Sequence, residues 1–169
     1  EAKGSNNNSV VIKLMNGENS FVFTGDAEHE SEAAMCNSSI DLSCDVLVPG
    51  HHGSATATSW DFLQKTVPEY AVISCGTNNK YGHPDKDTMD KLQSMDIQVY
   101  RTDKQGTIVV TSDGANRNRV MTIHRETIRI RERRVRRKYS RRHHRQQQES
   151  MYGCLRQETN TTRRITVAI

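Results

Sequence analysis

Two short apolar runs most restrict how this chain can fold, because each ends in a glycine and then in a side chain able to bind a metal. The first, F-V-F-T-G-D, ends at Asp26, and the second, V-L-V-P-G-H-H-G-S, contains His51 and His52. About 25 residues separate the runs, which is enough for one crossover helix between parallel strands. Adjacent parallel strands would place Asp26 beside His51 or His52.

The remaining hydrophobic pattern predicts an α/β fold in which strands alternate with helices. We predict strands over residues 9–14, 20–24, 45–48, 70–74, 98–101 and 107–111, and helices over residues 27–36, 58–66 and 87–95. The Asn16-Gly17 pair is a strong hairpin signal, and residues 103–106 predict a second turn. We therefore expect a mixed sheet flanked by two antiparallel hairpins.

A third histidine completes the candidate site. His83 lies in Y-G-H-P, in the loop after the fourth predicted strand. Ligand sites in open α/β sheets lie at the carboxyl ends of strands, so Asp26, the two adjacent histidines and His83 should converge at one edge. Taken singly, Asp26 is explained as a turn residue and His83 as a surface residue. Their convergence is what indicates a site.

Charge divides the chain near His124. Residues 1–124 contain 10 Lys and Arg against 16 Asp and Glu, a net of −6, whereas residues 125–169 contain 14 against 4, a net of +10. We predict a folded domain over residues 1–124 and a basic tail over residues 125–169 that is disordered or helical. Such a tail would be able to contact nucleic acid. An unstructured tail without a partner, or a shifted reading frame, also explains the abrupt change.

The same composition excludes several classes of protein. No apolar run approaches the ~18 residues of a membrane span, and the first residues have no signal-peptide pattern.

The four cysteines lack the C-x-x-C spacing of a zinc knuckle. Cys36 and Cys44 would be able to pair, but free thiols are the expectation. Because the chain begins without Met, we expect a fragment or a processed product.

Four ordered blocks over residues 6–114 extend these motifs. They are S-V-V-I-K-L with F-V-F-T-G-D-A-E, D-V-L-V-P-G-H-H-G-S, P-E-Y-A-V-I-S-C-G with K-Y-G-H-P, and V-Y-R-T-D with G-T-I-V-V-T-S-D-G. These blocks resemble the metallo-β-lactamase-fold domain of the ComEC-type competence proteins. The resemblance implies an αββα sandwich, two divalent metal ions (zinc or manganese), and hydrolysis of DNA or another phosphodiester. It also implies a bacterial protein of DNA uptake, at the cell surface or outside the cell.

The resemblance assigns a role to each candidate residue. Asp26 matches the bridging metal ligand and takes part in catalysis. His51 matches the late metal-binding histidine, with His52 as the alternative. His83 matches the Y-G-H-P histidine, as a metal ligand or as a catalytic contact to phosphate.

The resemblance also shows what is missing. The family's first metal motif, H-x-H-x-D-H or H-x-D-x-D-H, would stand before residue 6 and is not in this sequence, so we expect this chain to correspond to the C-terminal half of the domain. A dinuclear site needs about six to eight protein ligands, of which two or three remain here. A site with only these two or three ligands would bind metal weakly.

Three functions are compatible with these features. The first is a metal-dependent hydrolase domain completed by residues outside this chain. The second is a non-catalytic nucleic-acid-binding module that acts through the basic tail, and the third is an inactive half-domain. For the first, we predict that His51 rather than His52 lies beside Asp26, because Pro49 stiffens the strand exit and Gly50 then turns the chain.

Overall fold

The computed structural model describes residues 4–114, 119–124, 127–132 and 165–169. The described strands are β1 (Ile12–Asn16), β2 (Asn19–Phe23), β3 (Val46–Val48), β4 (Tyr70–Ile73), β5 (Gln98–Arg101), β6 (Val109–Ser112), β7 (Arg119–His124), β8 (Thr127–Glu132) and β9 (Ile165–Ala168). The described α-helices are α1 (His29–Cys36), α2 (Trp60–Thr66), α3 (Lys86–Ser94) and the short α4 (Thr102–Gln105). The predicted alternation of strands and helices is confirmed over residues 12–101.

The first sheet has the strand order β1-β2-β3-β4-β5. β1 and β2 form an antiparallel hairpin, and β2, β3, β4 and β5 then pair in parallel. The register aligns Phe21 with Val46, and Val46 with Tyr70. Every residue of β4 is buried, as are Val46 and Leu47 of β3, which is typical of parallel strands covered on both faces. The carboxyl ends of β2, β3 and β4 therefore lie at one edge.

The second sheet has the order β7-β8-β6-β9 among the described strands. The predicted hairpin between residues 98–101 and 107–111 is wrong, because β6 pairs with β8 in parallel and with β9 antiparallel rather than with β5. The predicted turn is the helix α4. A bidentate ion pair between Arg101 and Asp103 holds it in place. Thr102 Oγ1 adds two hydrogen bonds, because it donates to Cys75 O and accepts from Cys75 N. The chain thereby leaves the first sheet before β6 begins.

Two apolar cores cover the two faces of the first sheet. One face packs against the helices through side chains such as Leu47, Phe62 and Leu92. The opposite face packs Phe21, Val46, Tyr70, Val72 and Tyr100 against Ile108 and Val110 at the start of the second sheet. The order of layers is helices, sheet, sheet, which is consistent with an α/β sandwich. The more specific metallo-β-lactamase fold stays a prediction.

Residues 127–132 and 165–168 of the predicted tail form β8 and β9, and both strands pair directly with β6. Most of residues 125–164 lie outside the described part, so the domain boundary near His124 stays a prediction.

Within the part that the structure describes, no helix has the length and hydrophobicity of a transmembrane segment. Cys36, Cys44 and Cys75 are free thiols, as expected.

A buried carboxylate joins α1 to the start of α2. Glu32 is fully buried, and its two carboxylate oxygens accept hydrogen bonds from the backbone N–H groups of Thr58 at 2.6 Å and Ser59 at 2.8 Å. Ser59 is the N-cap of α2, and its Oγ accepts a hydrogen bond from Phe62 N. A carboxylate at a helix N-terminus also interacts favourably with the helix dipole. Glu32 therefore fixes how the chain enters α2.

Replacing Glu32 with alanine should lower the free energy of unfolding by roughly 2–4 kcal/mol, because one buried and one partly buried backbone N–H group lose their carboxylate acceptor. The matched control is Glu30→Ala, at an exposed position of the same helix, which should cost less than about 1 kcal/mol. Urea denaturation of both variants measures the difference. Equal losses would show that the Glu32 hydrogen bonds do not stabilise the fold.

Candidate active site

Hydrogen bonds join the two loops that follow β2 and β3. Thr24 Oγ1 donates to Val48 O at 2.9 Å, and His51 N donates to Gly25 O at 2.9 Å. Gly50 is required in this contact, because an added Cβ would lie 2.5 Å from Ala27 O. The two loops that carry Asp26 and the histidine pair are therefore in direct backbone contact.

His52 is the histidine that faces Asp26. Its Nε2 lies 3.6 Å from Asp26 Oδ1, and its Nδ1 lies 2.7 Å from the carbonyl oxygen of Ser74 at the end of β4. A carbonyl oxygen only accepts hydrogen bonds, so Nδ1 carries a proton. In the neutral ring the Nε2 lone pair then points towards a carboxylate oxygen. Two electron-pair donors that face each other need a cation or a proton between them.

His51 points in a different direction. Its Nδ1 lies 3.1 Å from Glu28 Oε1 and 3.3 Å from Thr56 Oγ1. The predicted geometry, with His51 beside Asp26 and His52 turned away, is thus reversed. The physical reason is the backbone. Gly50, where the prediction placed the turn, is extended (φ −65°, ψ 156°), and the chain turns instead at His51 and His52, where φ is 48° and 57°. Which of the two histidines binds metal stays a prediction.

Glu28 belongs to the site although the sequence did not single it out. Its Oε1 accepts hydrogen bonds from Thr56 Oγ1 at 2.9 Å and from Asn6 Nδ2 at 3.3 Å. The Thr56 hydrogen bond, followed by that from Asn6, lowers the pKa of Glu28, and the nearby His51 contributes in the same direction. The available sequence signal was an acidic residue at the start of a helix, two positions after Asp26, but nothing in the sequence placed Thr56 against it.

His83 packs between His51 and Tyr81. Its ring centre lies 5.6 Å from that of His51 and 5.8 Å from that of Tyr81, and its side chain is only 12% exposed. The buried Nδ1 lies 3.2 Å from Asp85 Oδ2, but the geometry does not form a hydrogen bond. The backbone of His83 is bonded on both sides to the Asn79 amide. The structure therefore brings His83 to the same edge as the histidine pair.

These residues fit only part of a metal site. Among residues 4–114 and the described later strands, no three His, Cys, Asp or Glu side chains form a group able to hold a metal ion. Asp26 and His52 offer two facing donor atoms, whereas protein metal sites of this kind use at least three protein ligands. No reaction step through a metal follows from the described residues alone.

A cavity of about 200 Å³ opens beside His52. Its other lining residues are Cys75, Gly76, Asn79, Tyr81 and His83. This volume is below the ~300 Å³ at which pockets begin to accept drug-sized ligands, so it suits one ring or a similar fragment.

Comparison with known proteins finds several bacterial relatives, and no protein-family model matches the chain. The chain is 43% identical over 103 residues to ComE operon protein 3 of Bacillus subtilis (strain 168) and 36% identical over 104 residues to Competence protein ComA of Neisseria gonorrhoeae. It is 35% identical over 108 residues to Recombination protein 2 of Haemophilus influenzae. These matches cover 61%, 61% and 64% of this chain but only 13%, 15% and 14% of the relatives. The names of these relatives refer to the ComE operon, to competence and to recombination, and the chain spans only a small part of their length.

Replacing Thr56 with valine should raise the pKa of Glu28 towards its usual value of 4.5, because the strongest hydrogen bond to the carboxylate is removed. In the wild type the folded-state pKa is depressed, so ionised Glu28 stabilises the fold above its usual pKa, and this contribution is lost as the pH falls through the depressed value. Titration of the Glu28 carboxyl carbon by NMR measures the change. Thr77→Val, another exposed threonine, is the control, and an unchanged Glu28 titration in Thr56→Val would contradict the assignment.

Proposed function

We propose that this chain provides Asp26 and His52 to a metal-dependent phosphodiesterase site that acts on DNA, in a protein of the competence type. The observation that carries the proposal is the orientation of His52. The Ser74 carbonyl fixes the proton on Nδ1, so that Nε2 and Asp26 Oδ1 face each other with room for a cation. A ring nitrogen held by a backbone acceptor is the usual arrangement of a metal-binding histidine.

The relatives support the DNA-uptake part of this proposal. Three of them have names that refer to competence or recombination, and the chain spans 13–15% of their length. The remaining metal ligands would then come from residues outside those described here. A divalent cation, zinc or manganese, would lower the pKa of a bound water and so supply a hydroxide at neutral pH.

The other histidines have supporting roles in this proposal. His51 also has its Nδ1 held by a carboxylate, that of Glu28, which makes it a second candidate ligand through Nε2. His83 is shielded from water and adjacent to His51, where it would contact a phosphate oxygen or donate a proton to the leaving group. Asp85 Oδ2 lies 3.2 Å from its Nδ1.

Manganese binding to this chain tests the assignment, because paramagnetic broadening in NMR spectra detects even weak binding. The His52 ring signals should broaden at lower Mn²⁺ concentration than those of His29, and Asp26→Asn should remove the difference. His52→Gln should weaken Mn²⁺ binding more than His51→Gln, since His52 faces Asp26. The reverse order would return the assignment to His51. Equal broadening of all histidines, unaffected by Asp26→Asn, would favour an inactive half-domain.

In the full-length gene product, Asp26→Asn should lower metal-dependent hydrolysis of single-stranded DNA by about 100-fold or more. Thr77→Val, remote in sequence and exposed, is the control for general damage. Undiminished hydrolysis in Asp26→Asn would show that Asp26 is not a metal ligand.

A second candidate function, non-catalytic binding of nucleic acid, is favoured by the net charge of +10 over residues 125–169. Removing this whole region is a poor test, because β8 and β9 lie within it and pair with β6. Replacing Arg133, Arg134, Arg136 and Arg137 with glutamine spares both strands. If binding acts through these charges, the variant should bind DNA with a weaker salt dependence, measured by fluorescence anisotropy. An unchanged salt slope would exclude this region as the binding surface.

A further inference from the structure

Tyr81 is a large aromatic side chain that remains exposed at the mouth of the cavity. It is 68% exposed, although its neighbour His83 in the same loop is largely buried. The tyrosine ring lies almost parallel to the His83 ring, with an angle of 14° between the planes and 5.8 Å between the centres. His83 thus supports the tyrosine ring, and the tyrosine is left accessible to a ligand.

The loop that carries Tyr81 is held in shape from within. The Asn79 side chain donates to the carbonyl oxygens of Gly76 at 3.0 Å and His83 at 2.7 Å, and it accepts from His83 N at 2.9 Å. One amide therefore bridges both ends of the loop. The ring is placed in advance, so little conformational entropy would be lost when a ligand stacks on it.

A positive charge accompanies the ring. The Lys80 ammonium lies 5.0 Å from the centre of the Tyr81 ring, and Lys80 is itself exposed. Cation–π contacts at exposed sites are weak compared with the stacking of a nucleobase on an aromatic side chain. An arriving base is able to displace Lys80, whose charge is then free to pair with a phosphate.

We propose that Tyr81 is the stacking platform for a nucleobase of the DNA strand whose phosphate lies at Asp26 and His52. This inference rests on the proposed function and adds the contact that holds the substrate. His52 lines the same cavity as Tyr81, so a base on the ring and a phosphate at His52 belong to neighbouring parts of one strand. The cavity volume of about 200 Å³ is sufficient for one ring. The cavity walls are mainly apolar. Tyr81 would therefore recognise the flat face of a base, which all four bases share, so binding would not depend on the DNA sequence.

The test compares two ligands on the full chain. One is a short fluorescein-labelled deoxythymidine oligonucleotide, and the other is a strand of equal length and charge that lacks bases. Tyr81→Leu, which keeps an apolar side chain without an aromatic face, should weaken binding of the first by roughly 5- to 150-fold, the loss expected for one stacked base. Binding of the abasic strand, which reports contacts to phosphate alone, should stay unchanged. Tyr81→Phe, which keeps the aromatic face, should bind both strands as the wild type does.

Three results would overturn the proposal: no loss in Tyr81→Leu, an equal loss for both strands, or a wild type that does not distinguish the strands. Thermal unfolding of each variant checks the fold, which an exposed side chain should not alter. The outcome is independent of the metal. If Asp26→Asn leaves metal binding unchanged but Tyr81→Leu loses the base-dependent affinity, the hydrolase proposal fails and the stacking contact stands. If Asp26→Asn abolishes hydrolysis while Tyr81→Leu binds normally, the stacking contact fails alone.

Discussion

The parallel pairing of β2, β3 and β4 is the constraint on which the candidate site depends. The aligned residues Phe21, Val46 and Tyr70 bring three carboxyl ends of strands to one edge. Asp26 follows the first strand, the histidine pair follows the second, and the loop with His83 follows the third. A shift of one residue in this register would exchange the two faces of a strand and move its exit, so the burial of these strands on both faces also fixes the site.

Two carboxylates of the region around α1 then fix the loop beside that edge. Glu28, the N-cap of α1, bonds to Thr56, and Glu32, one turn further on, bonds to the backbone of Thr58 and Ser59. The same short segment of chain is thus held at two points from one helix. One carboxylate is buried and serves the fold, whereas the other is partly exposed and also faces His51. Stability and site geometry are coupled through this segment.

The three histidines differ in the groups that lie beside their Nδ1 atoms. His52 Nδ1 is bonded to a backbone carbonyl, and His51 Nδ1 lies against a carboxylate and a hydroxyl. His83 Nδ1 lies near the Asp85 carboxylate but makes no hydrogen bond to it. These neighbours influence the direction in which each ring points. Chemically similar residues at one edge therefore have different surroundings: His52 faces Asp26, His51 contacts Glu28, and His83 packs against the ring of Tyr81.

The sequence by itself determined the elements of the first sheet and the edge at which the candidate residues meet. Apolar runs ending in glycine, and Asn-Gly at the first hairpin, are local signals that depend on strand and turn chemistry alone. The second sheet was not predictable in this way, because β6 has strand character but its partners are distant in sequence, and α4 depends on side-chain bonds from Arg101 and Thr102.

Within the site, the sequence supplied Asp26, His51, His52 and His83, but only the tertiary structure decided which histidine meets Asp26. That choice follows from two positive φ angles in succession and from the carbonyl of Ser74, which orients His52 from the neighbouring strand. The sequence pattern also did not predict the positions of Glu28 and Tyr81, because these depend on contacts with Thr56 and His83. Spacing along the chain fixes which side chains reach an edge, whereas their directions are set by contacts between segments that the sequence separates.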